Sequence, residues 1–250
     1  MKRSYTTFRQ LDSPFTSTTQ VSATINPETN PYSGTFSGIF GCNKLDLDFN
    51  TSKKALYIKN KTSYVGAAST TTVTINTPEC GEGDLLLFFG VSDSGTWLSE
   101  DGWTLEDQSN LVPNMVLYSK TATGSEPSTY TFDITGNQRP NAAMISISNW
   151  TNLVVGSFSA QASSPSITVP SNSATKKIIL VFIGNDGTGR SWDINGNDQE
   201  YQIYLLNSLN ASLQLTGIYR ASSNTNFTYT TTQTGAGSNS HGLAVVVTQS

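Results

Sequence analysis

Two stretches of this chain carry the same features in the same order, and that repetition limits the fold more than composition does. TVTINTPECGEGDLLLFFGVSDSG, from Thr72, aligns with SITVPSNSATKKIILVFIGNDGTG, from Ser166. LYSKTATGSEPSTYTFDITG, from Leu117, aligns with IYRASSNTNFTYTTTQTG, from Ile218. Each copy consists of strand-length apolar blocks rich in branched and aromatic residues, separated by Gly, Ser, Asp, Asn and Pro clusters. The first copy predicts strands over Val73–Ile75, Leu85–Val91, Trp103–Leu105, Met115–Lys120, Tyr130–Ile134 and Ala142–Ile147. The second predicts them over Ile167–Val169, Ile178–Ile183, Tyr201–Leu206, Leu213–Tyr219, Phe227–Thr231 and Leu243–Val247.

Twelve strands do not stay a flat open sheet; an all-β chain of this size settles as a sandwich or barrel. The fold expected is a duplicated antiparallel β-sandwich, jelly-roll-like, with an extended N-terminal arm. The arm covers residues 1–60 and the body 61–250, with unit one at about 63–150 and unit two at about 160–250. The runs LLLFF and IILVF belong in the middle, because continuous apolar strands suit burial on both faces. The pattern does not decide whether the units share one sandwich or form two, and a single jelly-roll-like double unit is favoured. The linker over 149–164 is short, and its Leu153-Val154-Val155 reads as another packed strand.

Composition excludes several function classes. Charged residues are 13% of the chain while Ser, Thr and Asn make up about a third, a balance of half-buried strands and hydrogen-bonding loops rather than disorder. Residues 1–61 hold eight of the fourteen basic side chains and four of the eighteen acidic ones, so a basic segment precedes an acidic body. That segment reads either as an arm for an acidic partner or as a solvated loop-rich stretch, and its charge is too dilute for nucleic acid. No apolar run approaches a membrane span, and the N-terminus lacks the apolar core of a secretory signal. Cys42 and Cys80 have no framework or metal spacing and are expected to be free, buried thiols.

Within residues 1–40 the aromatics are too many for a bare linker. Tyr5, Phe8, Phe15, Tyr32 and Phe36, with Arg9, are the candidate attachment residues. Lys44–Phe49 and Ala55–Lys59 both alternate with period two, and a hairpin turning near Asn50-Thr51-Ser52 is expected.

At Gly83-Asp84-Leu85-Leu86, Gly102-Trp103-Thr104, Tyr118, Lys120, Glu126, Pro127, Tyr130 and Phe132 the chain resembles a recurrent all-β module of tailed-bacteriophage structural proteins. The resemblance covers about residues 63–250. It implies a virion component, made in the host cytoplasm, of tail-fibre, receptor-binding or head-decoration type. The implied partners are other virion proteins, further copies of the chain with a trimer as the first expectation, and a host surface glycan. The module's motif residues are structural, so the resemblance carries over no functional site. The first 60 residues lie outside it, as an attachment segment specific to one virion would.

No motif for nucleophilic, phosphate-binding or metalloprotease chemistry is present, and neither enzyme activity nor a cofactor is expected. The lone His241 precedes the last strand in a turn-like context and specifies no triad. Glu100-Asp101 and Glu106-Asp107 invite a glycosidase reading, but adjacent acids on a strand point to opposite faces. Asp193–Asp198 superficially resembles a calcium loop without its ligand pattern, so no metal is expected. The loop after the second strand is long in both copies and contains a tryptophan with charged neighbours: Asp93 and Trp97 in one, Asp186, Arg190 and Trp192 in the other. Two readings stand. An aromatic face beside carboxylates suits sugar recognition, and indoles at a sandwich end equally suit plugging the core.

Overall fold

A computed structural model describes residues 55–174, 176–187, 191–195, 200–207, 212–220, 228–234 and 239–249, with four short strands nearer the N-terminus. The chain divides into two compact units, Met1–Ala55 and Leu56–Ser250. In the first, β1 (Arg3–Tyr5) pairs with β2 (Ala23–Ile25), and β3 (Thr35–Phe40) pairs with β4 (Asn43–Asp48). The alternating Lys44–Asp48 stretch therefore pairs backward with Thr35–Phe40 and not forward with Ala55–Lys59. Placing Phe40 opposite Asn43 leaves two residues between the strands, the commonest hairpin connection.

The body opens with β5 (Tyr57–Val65), β6 (Thr70–Asn76), β7 (Leu85–Ser92), β8 (Thr104–Gln108), β9 (Asn114–Thr121), β10 (Thr129–Gln138) and β11 (Asn141–Ser148). They form a five-stranded sheet in the order β5-β11-β7-β9-β8 and a two-stranded sheet of β10 and β6, all antiparallel. The second half contributes β12 (Asn152–Val155), β13 (Ser166–Thr168), β14 (Lys177–Asn185), β15 (Ser191–Asn195), β16 (Glu200–Asn207), β17 (Ser212–Arg220), β18 (Thr228–Thr234) and β19 (Ser240–Thr248). Its sheets have the orders β12-β19-β14-β17-β16 and β13-β18-β15. The two large sheets repeat one permuted order, and the chain alternates between layers as in a jelly roll. Each repeat opens with a further strand, β5 and β12; β12 is the packed strand expected at Leu153-Val154-Val155, and β5 extends the alternation read at Ala55–Lys59. β15 pairs with β18 where the first half has a single bridge from Trp97 to Ile134.

Three apolar layers hold the body together. Leu86, Phe88, Val116, Tyr118 and Met144 meet Val73, Ile75, Tyr130 and Phe132 between the sheets of the first sandwich. Ile179, Val181, Ile183, Ala244 and Val246 meet Ile167 and Val169 in the second. The remaining faces of the large sheets pack against each other: Leu85, Leu87, Phe89 and Val91 join Ile178, Leu180, Phe182, Leu215 and Leu243 in a central core. Two sandwiches thus stand back to back, in place of the single double unit favoured from the short linker, because the large sheets bury their remaining apolar faces against each other. Every residue of β7, β11, β14 and β19 is buried because both faces are covered, while β10 alternates exposed and buried.

The two halves meet through equivalent positions. Counted from the first inward residues Leu85 and Ile178, Phe89 corresponds to Phe182, and their rings meet edge to face at 5.2 Å. Val91 corresponds to Gly184, and a Cβ at Gly184 would fall 2.8 Å from Val91 Cγ2 and 2.7 Å from Met115 Sδ. Only glycine lets the sheets approach this closely here. On one side β5 lies over β16, where Lys61 Nζ donates to the Ile203 carbonyl at 2.9 Å. The acidic β8 and the lysine-bearing β5 are edge strands, each with an irregular register, a combination that discourages edge-to-edge pairing.

Candidate functional site

The strongest sequence candidate, Trp97, is a core residue. Its indole is 2% exposed and lies on Gly90, where a Cβ would come within 2.6 Å of Cζ2. It meets Phe88 edge to face at 5.5 Å, and Nε1 donates to the Asn114 carbonyl at 3.4 Å. The surrounding loop is bound to β10: Leu98 N donates to Asp133 O at 2.9 Å, Thr135 N to Thr96 O at 2.9 Å, and Thr96 N to Thr135 Oγ1 at 2.9 Å. Gln108 Nε2 donates to the Trp97 carbonyl at 3.2 Å. This loop is a rudimentary strand, the counterpart of β15, and its tryptophan has no face to offer a sugar. Of the two readings, core plug is the one the packing supports for Trp97.

The other loop candidates are not gathered around it. Asp93 and Asp186 are half-buried at equivalent positions past β7 and β14, and Asn239 Nδ2 donates to Asp186 Oδ2 at 2.8 Å. The Trp192 backbone pairs with Gln233; its side chain and Arg190 lie outside the described residues. So do Phe8, Arg9, Phe15, Tyr32, Cys42 and the side chains of Tyr5 and Phe36. Gly196–Asp198 lie outside them too, and of Asp193–Asn195 only the backbone, in β15, is described. Among the described residues no group of three or more His, Cys, Asp and Glu side chains could hold a metal ion.

The paired carboxylates are engaged locally. Glu106 Oε1 accepts from Ser119 Oγ at 2.5 Å, and Asp107 Oδ1 from the Gln108 amide at 2.9 Å. Glu100 is half-buried; burial first, then Asp133 and Asp101, push its carboxyl up. Nearby, the Tyr118 hydroxyl donates to the Leu98 carbonyl at 2.6 Å, and burial, reinforced by Glu100, pushes it up to about 12.

Lys120, Glu126, Tyr130, Trp103 and Phe132, five of the motif residues read from the sequence, form one connected cluster. Lys120 Nζ donates to Glu126 Oε2 at 2.8 Å and to the Tyr130 hydroxyl at 2.6 Å, and lies 4.8 Å from the Tyr130 ring centroid. Tyr130 also bonds Glu126 Oε2. Thr123 N and Oγ1 donate to Glu126 Oε1 at 2.6 and 2.9 Å. Burial alone would raise the Glu126 carboxyl, but the bonds from Lys120 and Thr123 outweigh it and hold the group below its ordinary value. Trp103 closes the cluster against Tyr130 and Phe132 at 5.1 and 5.3 Å. Together these contacts fix the β9–β10 turn and cap the first core.

Glu126→Ala is expected to cost about 2 kcal/mol, since it removes charge-assisted bonds and leaves Lys120 half-buried, measured as a shift in urea midpoint. Because the folded carboxyl titrates below its unfolded value of 4.5, its contribution is present above that pH and lost as pH falls through the folded value. An unchanged midpoint would mean the turn holds without the cluster.

Cys80 is a free, half-buried thiol beside this cluster rather than a fully buried one. Burial first, then Glu126 and Asp84, push it up, away from thiolate reactivity. Asp84 accepts from Lys59 Nζ at 3.3 Å and from the Gly81 amide at 2.7 Å. His241 is not in a turn. It is the second residue of β19, wholly buried, and burial pushes it down to about 4. Sequence spacing hid this, because the strand begins three residues before its apolar run.

No family model matches this chain, and neither a curated protein nor a solved structure matches it.

Proposed function

We propose that this chain is a non-enzymatic structural protein of a bacteriophage virion, a tail-fibre or receptor-binding component held to the particle by its N-terminal segment. The observation that carries the reading is the use made of the module's motif residues. Gly83, at a φ of +84°, turns into β7, Trp103, Tyr130 and Phe132 cap a core, and Lys120 and Glu126 tie a turn. All are spent on holding a rigid duplicated body, which is what a projecting element of a particle requires. The basic, aromatic-rich residues before Leu56 supply the attachment, and the body projects from the particle as a homo-oligomer, a trimer by preference. A host surface glycan remains the receptor class, bound elsewhere than Trp97.

The test is incorporation. Removing residues 1–55 is expected to leave a folded Leu56–Ser250 body that no longer enters particles, because each layer of its core draws on residues after Ala55. An unfolded product would assign the segment to the core. A particle reconstruction with density on the head and none on the tail would replace the fibre reading by head decoration. Release of reducing ends from a host polysaccharide would overturn the non-enzymatic reading.

A further inference from the structure

His241 is the single histidine of the chain, it is 0% exposed, and both ring nitrogens lack a hydrogen-bond partner. An unpaired polar group in an apolar layer is costly, and a cation there costs far more. The residue stands opposite Gly184 of β14. Alternation with Leu243, Val245 and Val247 directs it into the central core between the large sheets. The equivalent position in the first sandwich is Asn141, opposite Val91. Asn141 crosses between the sandwiches, donating through Nδ2 to the Leu206 carbonyl at 3.3 Å.

His241 makes no such crossing because Phe158 covers it. The two rings lie 5.6 Å apart at 75°, and Phe158 also meets Phe182 at 6.4 Å. Phe158 belongs to a half-buried strap, residues 156–162, that continues from β12 along the rim of β19. The strap is clipped on by Gly156 N to Ala244 O at 2.9 Å, Ser159 N to Gly242 O at 2.8 Å, and a reciprocal pair between Ala162 and Ser240 at 2.9 and 3.1 Å. Gly242 N adds a bond to Ser159 Oγ at 3.2 Å, and Gln161 Nε2 bonds the Val112 carbonyl of the first sandwich.

Among the described residues, the carboxylates at this end of the large sheets are Asp93, just past β7, and Asp186, just past β14, and neither acts on the ring. The strap, β7 and β13 contain no ionisable side chain. Lys120 of β9, Lys177 of β14, Glu200 of β16 and Arg220 of β17 lie toward the far ends of their strands. Asp186, just beyond β14, accepts from Asn239. Burial is accordingly the one cause that pushes the imidazole down.

We propose that His241 is an acid-operated latch: when its ring takes a proton from solvent it leaves the central core, displaces Phe158, and releases residues 156–162 from β19, opening the seam between the sandwiches on that side. The direction follows from linkage. Burial pushes the covered ring down from its ordinary 6.5 to about 4, so the closed strap is fully favoured above the first value. Opening then rises as pH falls below that value, by at most about tenfold for each pH unit, the limit for uptake of one proton.

Hydrogen exchange by NMR on the full chain tests this, with amide rates corrected for the intrinsic effect of pH. Protection of the Gly156, Ser159, Ala162 and Ser240 amides is expected to fall by up to about tenfold per unit between pH 6 and 4.5, while amides of β7 hold their protection. In His241→Leu and His241→Asn, two variants so that one failure to fold is not decisive, strap protection should not depend on pH. The ring signal of the single histidine reports its own titration without assignment ambiguity. Strap protection independent of pH in the native chain, equal pH dependence in a folded variant, or a ring that titrates near 6.5 while the strap stays closed would each overturn the latch.

Discussion

Trp97→Ala lowers the unfolding free energy by about 3–5 kcal/mol, the range for deleting a large buried aromatic. Three losses combine: the edge contact with Phe88 at 5.5 Å, the contact over Gly90, and the bond to Asn114 O at 3.4 Å. The vacated space cannot collapse readily, because the loop on one side is hydrogen-bonded to β10 and β7 on the other is a central strand. Urea denaturation gives the number directly. A midpoint equal to that of the native chain would return Trp97 to the surface and reopen the sugar-binding reading. Any loss of glycan binding in this variant should therefore be read alongside its stability, since a molecule of about 5–15 kcal/mol total stability can lose binding by unfolding.

Phe89→Ala and Phe182→Ala are each expected to cost about 3–5 kcal/mol, and the double variant less than the sum by about 0.5–1.5 kcal/mol for the shared edge-to-face pair. The contact at 5.2 Å joins two different sandwiches, so its energy couples their unfolding. Tryptophan fluorescence and far-ultraviolet circular dichroism should follow one coincident transition in the native chain. Strict additivity in the cycle, or two separated transitions in the native chain, would mean that the halves stand independently and that the central core contributes little. The deletion, cluster and latch tests above involve smaller or more local changes and leave this framework in place.

Much of the body is legible in the amino-acid sequence. The runs at Leu85–Val91 and Ile178–Ile183 read as doubly buried strands, and they are the central strands of the large sheets. Tyr130–Ile134 alternates and forms an outer strand with one wet face. What misleads is context beyond the strand. The alternation at Lys44–Asp48 is compatible with either neighbour, and connection length favours the earlier one. Trp97 in a polar loop looks the same whether its indole points outward or across Gly90, because the glycine that receives it is seven residues away on another element. His241 reads as a turn residue because Ser240 and Gly242 around it are small, although backbone pairing with β14 makes all three part of a strand.

By itself the sequence determined the class, the repeat and most strands of the body, since these follow from local periodicity and turn chemistry, which act over a few residues. The tertiary structure alone decided that two sandwiches share a third core, that Phe89 meets Phe182, that Trp97 is interior, and that Asn141 and His241 occupy equivalent places with opposite outcomes. Those facts depend on which faces meet across long stretches of chain, and burial of apolar area is indifferent to sequence separation: it selects whichever pairing of faces leaves least apolar surface in water.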